Sequence, residues 1–154
     1  MRANLGDAWP VLLLASVLTG CQEAGEVSPV QSKLGWLGSM YGMYISQNAG
    51  EAPKSIDDLR KFVEKKATPE RLDRLGVSNV DELFTSPRDG KRFVLVSYGK
   101  LPPPGSGQPP IVLYEAAGKN GQHVVAFLGG ITDTVDEEKL SQLLPANARA
   151  GQAR

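Results

Sequence analysis

The hydrophobic period of this sequence switches from 3.6 to 2 at Ser86-Pro87-Arg88-Asp89-Gly90, a turn by composition. Helices before that turn and strands after it leave few ways to build one core. Upstream, Leu34, Leu37, Tyr41, Tyr44 and Ile45 recur at spacings of three and four, which predicts a helix from Ser32 to about Asn48. Trp36, Met40 and Met43 widen its apolar face. Gly35, Gly38 and Gly42 lie on a neighbouring stripe, each lowering helicity by about 1 kcal/mol relative to Ala. Close approach of another backbone would offset that loss. Gly50 fits the helix stop, and Pro53 a turn.

Ser55 with the acid Asp58 three positions on predicts the cap of a second helix. It carries Ile56, Leu59, Phe62 and Val63 inward and ends in Lys65-Lys66, which its dipole favours. Thr68-Pro69 opens a third, with Leu72 and Leu75 inward and Gly76 as terminator. Ser78 to Phe84 reads as one more helical turn.

Downstream, Arg92 to Tyr98 reads as a strand, and residues 99–110 form a Pro/Gly loop. Ile111–Ala117 and Gln122–Leu128 flank Asn120-Gly121, the strongest short hairpin signal. A two-residue turn there pairs Lys119 with Gln122, Gly118 with His123, Ala116 with Val125 and Tyr114 with Phe127. Gly129-Gly130 makes a second tight turn into Ile131-Thr132-Asp133. Thr134 then caps a last helix through Glu137, with Val135, Leu140, Leu143 and Leu144 facing in. Residues 145–154 carry no apolar pattern and are expected to be a disordered tail. The expected fold is α+β: N-terminal helices packed on a small antiparallel meander of three or four strands, with a C-terminal helix. It is one domain, residues 32–144.

The N-terminus carries a different message. Trp9 to Leu18 is mostly apolar, and about ten residues is half the roughly twenty a membrane span requires. That is the length of a secretory h-region, although Arg2 is opposed by Asp7. It ends in Leu18-Thr19-Gly20-Cys21, an apolar residue and two small ones before the single cysteine of the sequence. This resembles the lipobox of bacterial lipoproteins. The resemblance implies a signal peptide over residues 1–20, cleavage between Gly20 and Cys21, and acylation of Cys21. Membrane lipid is then the partner of this protein, and residues 21–31 are a lipid-attached tether. Ten coil residues of it span about 17 Å. Gln22 stands where an Asp would resemble an inner-membrane retention signal, so the outer membrane is favoured. With one cysteine no internal disulfide forms. Lys and Arg together number 17, as do Asp and Glu, so no net basic field draws in nucleic acid.

Three stretches stand out together: Leu34-Gly35 with Tyr41, Tyr44, Gly50, Pro53 and Asp58-Leu59; Ser86-Pro87-Arg88-Asp89-Gly90; and Val112-Leu113-Tyr114-Glu115 with Val124 to Gly130. Taken together they resemble prepilin-like proteins and pseudopilin-related envelope proteins of type II secretion, including those of planctomycetes. The resemblance implies the fold of a prepilin globular head. The sequence departs from the family in two places. A lipobox and a polar tether replace the long apolar helix, and Gly129-Gly130 replaces a closing Asp-Gly.

Few residues invite chemistry. His123, the only histidine, is a candidate general base or metal ligand, but the hairpin register places it at an exposed strand end. Glu115 sits on the Ile111/Leu113 face across from Ala126; an edge position or a salt bridge competes there with a catalytic role. Asp57-Asp58 and Asp136-Glu137-Glu138 are expected at helix N-termini, where acids are favoured, not as cation ligands. The Pro-rich loop 101–110 is a connector or a ligand for a partner that reads polyproline helices. No catalytic, cofactor-binding or metal-binding residue is assigned, and no cofactor is expected. The sequence reads as a lipid-anchored envelope protein whose head binds or scaffolds without catalysis. The alternatives are a small envelope enzyme using Glu115 and His123, or an accessory subunit of a secretion system.

Overall fold

The computed structural model describes residues 27–98, 101–102 and 107–146. The expected signal segment 1–20, Cys21 and the part of the expected tail from 147 on lie outside the described residues.

The first helix, α1 (Pro29–Gln47), begins three residues before the expected Ser32. Its entry is a capping box: the Ser28 hydroxyl accepts from Gln31 N, and Ser28 N donates to Gln31 Oε1 at 3.0 Å. Pro29 occupies the first turn, where its missing N–H costs nothing. Val30 is already buried, so the helix enters the domain from its first turn and shortens the expected tether. Three short helices follow: α2 (Ile56–Glu64), α3 (Pro69–Arg74) and α4 (Val80–Leu83). Their caps are Ser55, Thr68 and Asn79, each accepting a backbone N–H three residues on.

The sheet is an antiparallel meander in the order β1 (Val94–Leu95), β2 (Ile111–Tyr114), β3 (Gln122–Phe127), β4 (Thr132–Asp136), and α5 (Glu137–Leu143) follows it. The fold is α+β, with helices before the sheet and one after it. Both faces of β3 are covered. Val124 and Ala126 join Leu34, Leu37, Tyr41, Leu59 and Phe84 in one core. Val125 and Phe127, pointing the other way, join Val96, Val135, Leu140 and Leu144 in a second. The first core holds α1 and α2 against the sheet, and the second holds α5.

Two local expectations are overturned here. The last helix does not start at Thr134. Thr134 pairs with Val124 and Val135 with His123, so this stretch extends β4, and Asp136 caps α5 by accepting from Lys139 N at 2.8 Å. The open edge of β3 offers a ladder of backbone partners, which outweighs an isolated capping preference. The hairpin register also moves. The Asn120-Gly121 turn is as expected, with Lys119 and Gln122 exchanging two bonds, but Tyr114 pairs with Val125 instead of Phe127. Two extra residues are taken up on the β2 side before the turn, where Gly118 has a φ of +65°. A shift of two preserves which face each side chain takes. A further irregularity at Val112 then aligns Ile111 with Phe127 and puts Val112 beside Leu113 in the first core.

The glycine stripe of α1 lies against the β3–β4 turn. A Cβ at Gly38 would stand 2.9 Å from the Phe127 carbonyl oxygen and 3.1 Å from Gly130 Cα. At Gly35 it would stand 3.0 Å from the Gly130 oxygen. Among the described residues, no helix is long and apolar enough to cross a membrane.

Candidate functional site: the buried polar cluster at Glu115

Glu115 immediately follows β2 and is fully buried. Its own backbone explains part of its setting. Glu115 N donates to Val124 O at 3.0 Å, as a regular antiparallel pair requires. The return bond is different: Val124 N donates to the carboxylate Oε2 of Glu115 at 2.9 Å, and the Glu115 carbonyl faces His123 Nδ1 at 2.9 Å. The carboxylate has taken the carbonyl's place in the ladder. This substitution accompanies the two extra residues that the β2 side carries between Tyr114 and Lys119, where the regular ladder stops.

The second half of the cluster comes from the turn Ser86–Gly90. That turn closes on itself through Ser86 N to Lys91 O at 2.9 Å and Gly90 N to Ser86 O at 3.0 Å. It presents Ser86 and Arg88 to the hairpin. The buried Ser86 hydroxyl donates to Glu115 Oε1 at 2.6 Å, while Arg88 Nη1 meets Oε2 at 3.2 Å. Arg88 Nη2 also donates to the Lys119 and Gln122 carbonyls, at 3.4 and 3.1 Å. Asp89 completes the clamp, its carboxylate accepting from Ala117 N at 3.3 Å. A buried carboxylate is tolerated only when its lone pairs are filled and its charge is countered. Here a hydroxyl, a backbone N–H and a guanidinium do both.

His123 is the largest departure from the sequence reading. It is 4% exposed, not an open strand end. Nδ1 faces the Glu115 carbonyl, so that nitrogen carries a hydrogen. Nε2 lies 2.7 Å from Glu137 Oε2 in the first turn of α5, so the imidazole ties β3 to that helix. The register expectation failed because β4 and α5 pass over this end of β3, and neither could be placed from the hairpin alone. At Glu115 the structure shows the salt bridge, to Arg88, at a fully buried position just past the end of β2. From the sequence alone Ser86 and Arg88 read only as turn residues and Glu137 only as an acid at a helix start, none of them as a partner of Glu115 or His123. Only the position of Ser86 and Arg88 in a turn ahead of the strands hinted at them.

The acids Asp57 and Asp58 lie in the first turn of α2, and Glu137 and Glu138 in that of α5, with Asp136 as its cap. No group of three or more potential metal ligands occurs among the described residues.

Both nitrogens of His123 and both carboxylate oxygens of Glu115 are engaged within the fold. A groove of about 370 Å³ passes Ser86, lined also by Lys33, Asp81, Glu82 and Thr85, but neither Glu115 nor His123 reaches it. Lys33, on α1, is buried and donates to the carbonyls of Glu82 and Thr85 at 3.0 and 3.4 Å, tying α1 to the end of α4. Burial lowers its pKa from the usual lysine value, against the opposing pull of the Glu82 carboxylate. A second groove, of about 240 Å³, lies between Tyr98, Pro109, Pro110, Phe127, Leu143 and Pro145. The second end of the Pro-rich loop is thus pinned to the sheet, where Leu128 N donates to Pro110 O at 2.9 Å. No protein-family model, curated protein or solved structure matches this sequence.

Proposed function

We propose that this is a lipid-anchored envelope protein whose head, in the manner of a prepilin globular domain, binds or scaffolds a partner without catalysis. The observation that carries the anchoring is Leu18-Thr19-Gly20-Cys21 at the end of a short apolar run, with Cys21 the single cysteine. One acyl group gives marginal attachment and two or more hold firmly, so the lipid is the anchor. What supports a non-catalytic head is the use made of its acid and base. Glu115 and His123 satisfy each other's neighbourhood and join the turn, the sheet and α5. An enzyme would keep such groups within reach of a substrate.

The test is metabolic labelling of cells with a fatty-acid analogue. The wild type takes up label and fractionates with membranes, and Cys21→Ser loses both. A Cys21→Ser protein that still needs detergent for extraction would overturn the anchoring. Loss of a measured turnover in His123→Gln, with the fold intact, would overturn the non-catalytic reading.

A further inference from the structure

The tip of the β2–β3 hairpin combines a reactive dipeptide with an unusual attachment. Asn120 and Gly121 are both exposed, with φ of +55° and +71°. The bonds between Lys119 and Gln122 close the turn from outside, while no described residue accepts from the Gly121 N–H. A Cβ built on Gly121 would find nothing within 4 Å. The peptide unit between the two residues is therefore held only at its ends, on an exposed tip with open space beside Gly121 Cα.

We propose that Asn120-Gly121 is a site of spontaneous covalent modification, coupled through Arg88 to the buried cluster. The Gly121 backbone nitrogen attacks Asn120 Cγ and forms a new bond to it. The bond between Cγ and Nδ2 of Asn120 breaks, and the amide nitrogen leaves as ammonia with the proton from Gly121. The five-membered imide is then opened by water at either carbonyl, giving aspartate or isoaspartate. No oxidant, metal or enzyme enters the balance. Glycine at the second position matters because a Cβ there would crowd the attacking nitrogen.

The consequence depends on which carbonyl is opened. Aspartate leaves the backbone as it was. Isoaspartate adds one methylene to the backbone between Lys119 and Gln122, whose carbonyls both accept from Arg88 Nη2. A turn one atom longer cannot present both oxygens to one guanidinium nitrogen. The same guanidinium holds Glu115, so the change at the exposed tip loosens the clamp on a fully buried carboxylate.

The purified full-length protein is incubated at mildly alkaline pH and mapped by mass spectrometry, with fragmentation that separates aspartate from isoaspartate. Asn120 is expected to convert several-fold faster than Asn48 and Asn79, whose following residues are Ala49 and Val80. The isoaspartate fraction is expected to melt at a lower temperature than fresh protein, and Asn120→Asp at the same temperature as fresh protein. In Arg88→Lys, isoaspartate formation is expected to shift the midpoint much less than in the wild type. Conversion at Asn120 no faster than at Asn48 and Asn79 would overturn the site. An isoaspartate form that melts with Asn120→Asp, or a full shift in Arg88→Lys, would overturn the coupling.

Discussion

Ser86 donates its hydroxyl to Glu115 at 2.6 Å across 29 positions of sequence, and through this bond the helical half of the molecule is fastened to the hairpin. Ser86 stands where the apolar period changes, and Glu115 at the end of the strand that first runs through the core. The junction of the two halves is therefore polar and buried, which makes it specific in a way that apolar contact alone is not.

Removing one member of a buried charged pair leaves the other uncompensated. Glu115→Leu is expected to destabilise by about 3–5 kcal/mol, since Val124 N and the Arg88 guanidinium both lose their acceptor. Arg88→Met, with a partly exposed side chain, should cost less, about 1–3 kcal/mol. Denaturant unfolding of both single variants and the double one gives their coupling. Additive costs would mean that Arg88 and Glu115 do not act as a pair.

His123→Ala is expected to destabilise by about 1–3 kcal/mol, well outside the half kilocalorie or so of a plain surface substitution. The imidazole is buried, and both its nitrogens bridge to other elements. Amide exchange should quicken first in α5, which loses its tie at Glu137. A variant as stable as the wild type would mean that Leu140 and Leu144 hold α5 unaided.

The three glycines of α1 should respond differently to alanine. At Gly42 the new methyl group would meet Leu128 Cδ1 at 3.8 Å, an ordinary contact, so the gain in helicity of up to about 1 kcal/mol is kept. At Gly38 it would meet the Phe127 oxygen at 2.9 Å, and backbone must shift. Gly38→Ala should therefore destabilise, and Gly38→Leu by about 1–3 kcal/mol or more through overpacking. Denaturant midpoints that rise for Gly38→Ala as for Gly42→Ala would show that α1 can move off the β3–β4 turn at no cost.

Tyr41 is fully buried, and its hydroxyl finds no hydrogen-bond partner among the described residues. Tyr41→Phe removes that unmet group and should stabilise the head by about 1 kcal/mol. Burial first, and the neighbouring Tyr98 second, push the Tyr41 phenol up from 10.0 to about 12. Between those values the unfolded protein releases a proton that the folded one retains. Stability is thus fully present below pH 10 and falls as pH rises towards 12. Burial raises Tyr98 to about 12 as well, adding to the same loss. Tyr41→Phe should make the decline between pH 10 and 12 shallower without abolishing it, as followed by thermal midpoints.

What the residues dictated locally, they dictated reliably. Ser55, Thr68 and Asn79 start helices because each can reach an N–H three residues on, and Asn120-Gly121 turns because both residues accept a positive φ. The apolar stripe of α1 and the glycines beside it were legible for the same reason: a period of 3.6 fixes a face before any partner is known. Ser28-Pro29 with Gln31 was an equally local signal for the true start of α1, outweighed there by the polar composition ahead of it. Tertiary structure decided the rest, wherever two segments competed for one set of backbone bonds. Thr134 could cap a helix, but the free edge of β3 made it strand. His123 could face water beside its turn, but β4 and α5 close over it. Glu115 was visible as an acid in an apolar strand, while its partners Ser86 and Arg88 are set by the docking of a distant turn. A charge buried in a sheet is viable only with those partners in place, and their distance in sequence hides them until the protein has folded.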